Sequence, residues 1–427
     1  MTDLIIIGAG PGGYETAVEA AKRGMSVTLI NDGPLGGVCL NEGCIPTKTF
    51  CHYAGKEEFA AVAARKEAVV NQLKNGVAYL LKNPNITIVE RKASFKDAQT
   101  IVVNGDEYTA KDIIIATGSK PAKLPIPGAD SEMVLTSTDV LNMKELPESI
   151  CVIGGGVIGL EMASYLHRFG VEVTVLEYAS QVLPNFDTEI SKRLKQLLTK
   201  QGINIETDAQ VTAIDNEGFV TYQKKDQEYN VECDKVLMAV GRTPNIAELD
   251  LEAANISYSK KGITIDDNMQ TSIPHVYAIG DVNGKLMLAH VATFQGYRAL
   301  NHIQGMSDKI KFNLVPAAVF TIPEVASVGL TEVQCDDEEL DYKAIKVPFG
   351  AVGKAVAMGE VDGFCKLIID NENKTILGCH IMGAHASDLI QEVVTMMNLG
   401  VTLDDAKDII HAHPTLNEII QLAIHQY

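Results

Sequence analysis

Two glycine-rich turns set in the same frame constrain this chain more than any other feature. The apolar run Leu4–Ile7 leads into Gly8-Ala9-Gly10-Pro11-Gly12-Gly13. An alanine-rich stretch from Tyr14 to Arg23 then ends at Gly24, and Val27–Ile30 is a second apolar run. This order predicts strand, turn, helix, strand. Between a strand and a helix, that glycine spacing suits a dinucleotide: Gly8 for the turn, Gly10 for close approach of the pyrophosphate, Gly13 for packing helix on strand. The N–H groups at the helix start have no partners within the helix and face the phosphates.

The unit occurs twice. Cys151-Val152-Ile153 leads into Gly154-Gly155-Gly156-Val157-Ile158-Gly159, a helix to Phe169, Gly170 and the strand Val171–Leu176. Gly8 to Gly24 and Gly154 to Gly170 are both 16 positions; Gly8 to Asn31 and Gly154 to Glu177 are both 23. Two such units predict two nucleotide cofactors. The position after the second strand ordinarily carries an acid for a ribose diol. Glu177 fits, and Tyr178-Ala179-Ser180-Gln181 offers no basic residue for a 2′-phosphate, which favours NAD over NADP. In the first unit Asn31 stands there with Asp32 beside it, and either side chain can bond a ribose hydroxyl.

Cys39 and Cys44 follow the first unit within Gly36-Gly37-Val38-Cys39-Leu40-Asn41-Glu42-Gly43-Cys44-Ile45-Pro46-Thr47-Lys48. In a regular helix Cα atoms five apart lie about 8.6 Å from each other, whereas a disulfide needs roughly 4.4–6.8 Å. A regular helix cannot bridge the two; an irregular turn at Gly43 can. So short a loop would stabilise the fold by only roughly 2 kcal/mol, which suits a bond that opens and closes better than a staple. Eight cysteines in 427 residues do not make a disulfide scaffold. Leu4–Ile7 behind Asp3 is no signal peptide, so a reducing cytoplasm is expected, where disulfides are catalytic or sensing. Cys51, Cys151, Cys233, Cys335, Cys365 and Cys379 have no paired spacing and read as packing residues.

A formal net charge of −19 disfavours nucleic acid and anionic membranes. No apolar run approaches the roughly 18–20 residues of a spanning helix, so no membrane insertion is expected, and no metal site either.

Between the repeats, 56–82 predicts one or two helices and 86–108 short strands. Asp112–Gly118 and Asp234–Gly241 predict buried strands ending in glycine, each late in its own unit. Pro121, Pro125 and Pro127 mark a linker. The run Val276–Ile279 delivers Gly280-Asp281, a carboxylate suited to a polyol hydroxyl. From Val315 onward, short strands precede a helix over 387–398 and a final helix, an α+β domain. There Pro414 and Thr415 are expected to start the last helix, and Glu418 to orient an imidazole. A His–carboxylate pair is the usual build of a general base.

The motifs GAGPGGYE, LGGVCLNEGCIPTK, IIIATGS, GGGVIGLE, AVGRTPN, VYAIGDV, FTIPEVASVG, ILGCHIMGAHASDLIQEV and HAHPTLNE resemble the pyridine nucleotide–disulfide oxidoreductases. Within them they are most like the enzymes that oxidise dihydrolipoamide, and the resemblance runs from residue 5 to 418. It implies an α/β fold of two Rossmann-like dinucleotide-binding domains plus a C-terminal α+β dimerisation domain. The expected spans are 1–140 for FAD, 141–265 for NAD, 266–314 returning to the FAD domain, and 315–427 for dimerisation. FAD would be held by Gly8, Gly10, Gly13, Asn31, Asp32, Lys48, Thr117, Gly118, Gly280 and Asp281. NAD would be held by Gly154, Gly156, Gly159, Glu177, Gly241 and Arg242.

Cys39 would be the interchange thiol and Cys44 the thiol against the flavin. Lys48 would pair with Glu161, and His413, oriented by Glu418, would be the acid–base group. The family implies a homodimer with an active site shared between subunits, serving a lipoyl-bearing protein of a multienzyme complex. Asn31 departs from the family's acid, the segment 290–296 is less charged than in most relatives, and helices after Lys48 are trimmed. The alternatives are an NAD(P)H-dependent reductase of another small disulfide, such as glutathione disulfide, and a non-catalytic flavin-binding scaffold.

Overall fold

The computed structural model describes residues 2–427. Five parallel strands form the heart of the first unit, in the order Ile86–Val89, Val27–Ile30, Thr2–Ile7, Asp106–Ile115 and Val276–Ala278. Leu4, Ile5, Ile6, Leu29, Ile113 and Ile114 are almost wholly buried, as expected of a sheet covered on both faces. The helix Pro11–Lys22 follows the first strand directly, with Pro11 at its first position, where the missing N–H costs nothing.

The second unit repeats this plan. Its parallel order is Asn204–Glu206, Glu172–Leu176, Ser149–Ile153, Lys235–Met238 and Val134–Leu135. The helix Val157–Arg168 matches the first unit's helix in length, at 12 residues each. A three-stranded antiparallel sheet, Gln210–Ile214, Phe219–Lys224 and Gln227–Glu232, stands beside it.

Both crossings between units fall earlier than the expected boundaries at 141 and 266. Val134–Leu135 already pairs with Lys235–Met238, and Leu249, Leu251, Ala254 and Ile256 pack in the first unit's core. The crossings are zipped together: Ser119–Pro121 pairs antiparallel with Arg242–Pro244, and the Ala122 N–H donates to Gly241 O.

The last domain is a five-stranded antiparallel sheet in the order Ala317–Val319, Glu324–Gly329, Ile376–Gly383, Phe364–Asp370 and Tyr342–Pro348. The helices Ala386–Leu399 and Glu418–His425 pack on it. The final helix therefore begins at Glu418, not at Pro414. The Thr415 N–H is taken by Glu418 Oε2 at 3.0 Å, and Thr415 Oγ1 donates to Ala412 O at 2.7 Å. These bonds close a tight turn ahead of the helix. No helix among the described residues is long and apolar enough to cross a membrane.

Candidate active site

Both glycine loops show by steric exclusion why they need glycine. A Cβ on Gly8 would lie 2.3 Å from Ala116 O, and one on Gly154 would lie 2.4 Å from Ala239 O. A Cβ on Gly13 would lie 1.8 Å from Gly8 O, and one on Gly159 would lie 2.0 Å from Gly154 O. No real Cβ tolerates such contacts. The middle glycines differ: nothing lies within 4 Å of a Cβ built on Gly10 or Gly156. Each loop thus leaves open room at the helix start where a diphosphate lies, so the residues present fit a dinucleotide in both units.

The residues after the second strands occupy matching places. Asn31 Oδ1 accepts from the Ala9 N–H at 3.0 Å, and Glu177 Oε2 accepts from the Gly155 N–H at 2.5 Å. The Asn31 amide also donates to Gly33 O, whereas Glu177 Oε1 accepts from the Ala179 N–H at 2.7 Å. Asp32 is exposed.

The cysteine segment is broken where the spacing requires it. Helices Gly37–Glu42 and Cys44–Tyr53 meet at Gly43, whose φ of −146° and ψ of −109° belong to neither. The two thiols are free here, on helices that meet at Gly43. They are oppositely polarised. The hydrogen bond with Cys39 brings the Cys44 thiol down to about 7, against partial desolvation and with help from the Lys48 ammonium. The same bond, together with burial, pushes the Cys39 thiol well above its ordinary value. Cys44 also opens its helix, where a thiolate is favoured.

Lys48 lies one turn further on and crosses to the second unit. Its Nζ is 3.0 Å and 2.9 Å from the two oxygens of Glu161, which is only 2% exposed. Burial works against the ammonium, but the Glu161 carboxylate overrides it and holds the Lys48 pKa above its ordinary value. Glu161 Oε1 accepts a further bond from the Phe320 N–H at 2.9 Å, and Lys48 Nζ sits 4.5 Å from the Phe320 ring centroid. One pair thus joins all three parts of the fold.

Asp281 is placed by residues that sequence reasoning missed. Ser119 Oγ donates to Asp281 Oδ2, while Arg242 Nε donates to Ser119 Oγ at 2.7 Å. Arg242, expected at the second nucleotide, thus reaches across to the first unit, because its strand is zipped to Ser119–Pro121. Gln295, buried in the helix Ala289–Ile303, accepts from the Gly280 N–H at 2.6 Å. Thr117 Oγ1 donates to Asn245 O at 2.8 Å, Gly118 takes φ +72°, and Gly241 takes φ +108°. Ser119 was visible as the end of the IIIATGS motif. Phe320 was visible only as the first residue of the FTIPEVASVG motif, with no sign that its N–H and ring would meet the Lys48–Glu161 pair.

His413 Nδ1 meets Glu418 Oε1 at 2.8 Å, with the imidazole mostly exposed. This bond lowers the Glu418 carboxyl pKa. A second pair stands next to it: His411 Nε2 meets Glu392 Oε1 at 2.7 Å, and the Asn417 amide donates to Glu392 Oε2 at 2.8 Å. Glu392 therefore grips both ends of the turn that carries His413. The other six cysteines are free and buried, as expected of packing residues, and Cys365 Sγ lies 4.0 Å from Cys379 Sγ.

Residues 2–296 match the family described as pyridine nucleotide-disulphide oxidoreductase, and residues 315–424 match its dimerisation domain. The chain belongs to this family. It is therefore a redox enzyme that uses FAD and NAD, and its dimerisation domain supports a homodimer. It is 41% identical to the dihydrolipoyl dehydrogenase of Geobacillus stearothermophilus over 98% of this chain and 94% of the relative. The enzyme of that name from Chlamydia trachomatis is 39% identical over 98% of this chain and 95% of its own. Among solved structures, the HOCl-induced flavoprotein disulfide reductase of Escherichia coli superposes with a TM-score of 0.92. That structure has 33% identity and 99% coverage of both chains.

Proposed function

We propose that the chain oxidises the dihydrolipoamide of a lipoyl-bearing protein and delivers the electrons to NAD. The observation that carries this reading is geometric: the two cysteine-bearing helices meet at Gly43, and the Lys48 ammonium, paired with Glu161, stands one turn beyond Cys44, the thiol it favours as thiolate. One thiol is readied to be a stable thiolate and the other to be protonated, which is the division of labour a disulfide exchange needs.

In the oxidising direction the Cys39–Cys44 pair starts as a disulfide. His413, oriented by Glu418, takes a proton from the substrate dithiol, whose ordinary pKa leaves it mostly protonated near pH 7. The substrate thiolate attacks Cys39 Sγ, a mixed disulfide forms, and Cys44 leaves as a thiolate held by Lys48. His413 releases the first proton to solvent and takes that of the second substrate thiol, whose thiolate displaces Cys39; Cys39 leaves with the proton His413 then delivers, and the lipoyl disulfide departs. FAD, when bound, supplies two-electron transfer between the Cys39–Cys44 dithiol and NAD. Gly8, Gly10, Gly13, Asn31, Asp32, Thr117, Gly118, Gly280 and Asp281 would hold FAD; Gly154, Gly156, Gly159, Glu177 and Gly241 would hold NAD. Arg242 positions Asp281 through Ser119.

His413 is exposed on a domain whose surface also presents Ile410, Leu399 and Leu422. Exposed apolar side chains of this kind suit an association surface. We place His413 against the Cys39 of the other subunit, so that each active site is shared. The enzyme serves a multienzyme complex, and a reducing cytoplasm is the compartment its thiol chemistry suits.

A steady-state assay tests the substrate. Dihydrolipoamide should drive NAD reduction, and glutathione disulfide should not be reduced by NADH or NADPH. The reverse outcome would make the chain a reductase of another small disulfide, and inactivity in both arms would leave a flavin-binding scaffold.

A further inference from the structure

One helix of the second unit carries a cationic face that none of this chemistry uses. The helix Thr188–Gln201 buries Ile190, Leu194, Leu197 and Leu198, spaced as one apolar stripe requires. Thr188, Ser191, Lys192, Lys195, Thr199 and Lys200 recur at three- and four-residue intervals on another face, so they are neighbours in space. That face and the loop Ser180–Val182 wall a cavity of about 840 Å³.

The lining is mostly apolar, and the charged groups on it are all of one sign. It holds three ammonium groups with hydroxyl and amide donors, and no carboxylate, in a chain with 55 acidic and 36 basic residues. Lys195 Nζ is fixed by a bond to Thr207 Oγ1 at 3.0 Å. The complementary ligand has concentrated negative charge and several acceptor oxygens, which describes a phosphoryl group. The volume exceeds a bare phosphate and falls within the roughly 300–1,000 Å³ of small-molecule sites.

The cavity also borders the dinucleotide loop without belonging to it. Val182 Cγ1 lies 3.1 Å from the place of a Cβ on Gly155, and the Leu183 N–H donates to Gly155 O at 2.9 Å. The helix itself is anchored at both ends on the C-terminal domain. Lys366 Nζ reaches Asp187 Oδ1 at 2.9 Å and Glu189 Oε2 at 3.0 Å, and the Gln201 amide donates to Ile322 O at 2.9 Å. The helix backbone is thus held in place and Lys195 with it, while Lys192 and Lys200 stay exposed at the rim.

We propose that this cavity binds a phosphate-bearing small molecule, at a site separate from the dinucleotide cleft. The test is calorimetric titration of the FAD-loaded enzyme with inorganic pyrophosphate, at fixed ionic strength and with NAD held at saturation. One saturable site per chain is expected. The double variant Lys192→Gln/Lys195→Gln should bind at least tenfold more weakly, and Lys192→Arg/Lys195→Arg should recover binding. Without pyrophosphate, the KM for NAD of the glutamine variant should stay within twofold of the wild type. Absence of saturable binding, equal binding by the glutamine variant, or loss of binding at saturating NAD would each overturn the proposal. Citrate binding as tightly, with the same lysine dependence, would overturn the phosphoryl assignment.

Discussion

The two nucleotide units are near copies in backbone and different in what their side chains meet. Each has a glutamate seven positions after its first loop glycine, Glu15 and Glu161. Glu15 is half-buried and takes a bond from the neighbouring Tyr14 hydroxyl at 3.1 Å. Glu161 is buried and takes Lys48 and the Phe320 N–H. The same place in the repeat is a bystander in one unit and the junction of the molecule in the other. Asn31 and Glu177 teach the converse. Each accepts from the second residue of its loop, so holding the loop needs an acceptor and not a charge.

If the repeated units carry electrons while a non-repeated element carries protons, His413→Gln should separate the two. Dithiol oxidation should slow by about 10²–10⁴, with flavin–NAD exchange nearly unchanged in stopped-flow measurements; equal slowing of both would break the division. Between the loops themselves, Gly10→Ala and Gly156→Ala should act on different nucleotides. The first should cost bound flavin and the second should raise the KM for NAD, each by roughly 10²-fold for a displaced phosphate.

The glutamates give a third contrast. Glu161→Ala leaves an ammonium half-buried beside an aromatic ring and should destabilise by about 3 kcal/mol in denaturant unfolding. Glu15→Ala should stay within about 0.5 kcal/mol. Next, the reduced enzyme's thiolate absorbance should titrate with a midpoint of about 7 from Cys44, and Lys48→Met should raise it. Because this pKa lies below that of an ordinary thiol, the associated stability is full above the ordinary value and is lost as pH falls through about 7. The smallest effect belongs to the ribose position. Glu177→Gln should weaken NAD by about 1 kcal/mol, roughly fivefold, and Asn31→Asp should change flavin affinity by less.

The repeat was legible because strand, glycine turn and helix are local, and the break at Gly43 followed from the reach of a disulfide. The Lys48–Glu161 pair was legible only through resemblance, whereas a carboxylate at Glu418 poised to orient an imidazole could be read from the residues themselves. The start of the last helix was misjudged because Pro414 reads as a helix opener, while the Glu418 side chain takes the Thr415 N–H. Ser119, Gln295 and the Glu392 grip on His411 and Asn417 depend on crossings between distant segments, which no spacing reveals. The same reason hides Lys192 and Lys195, which reach the loop Ser180–Val182 from the next helix.

The ribbon of Ser119–Pro121 and Arg242–Pro244 has one more consequence. The chain enters and leaves the second unit through adjacent, paired strands, so that unit is a cassette plugged in at a single socket. Chains whose ends lie close together tolerate being inserted as a block. Exchanging 122–241 for the matching block of an enzyme with another nucleotide preference should therefore transplant that preference while the flavin-bearing host stays intact.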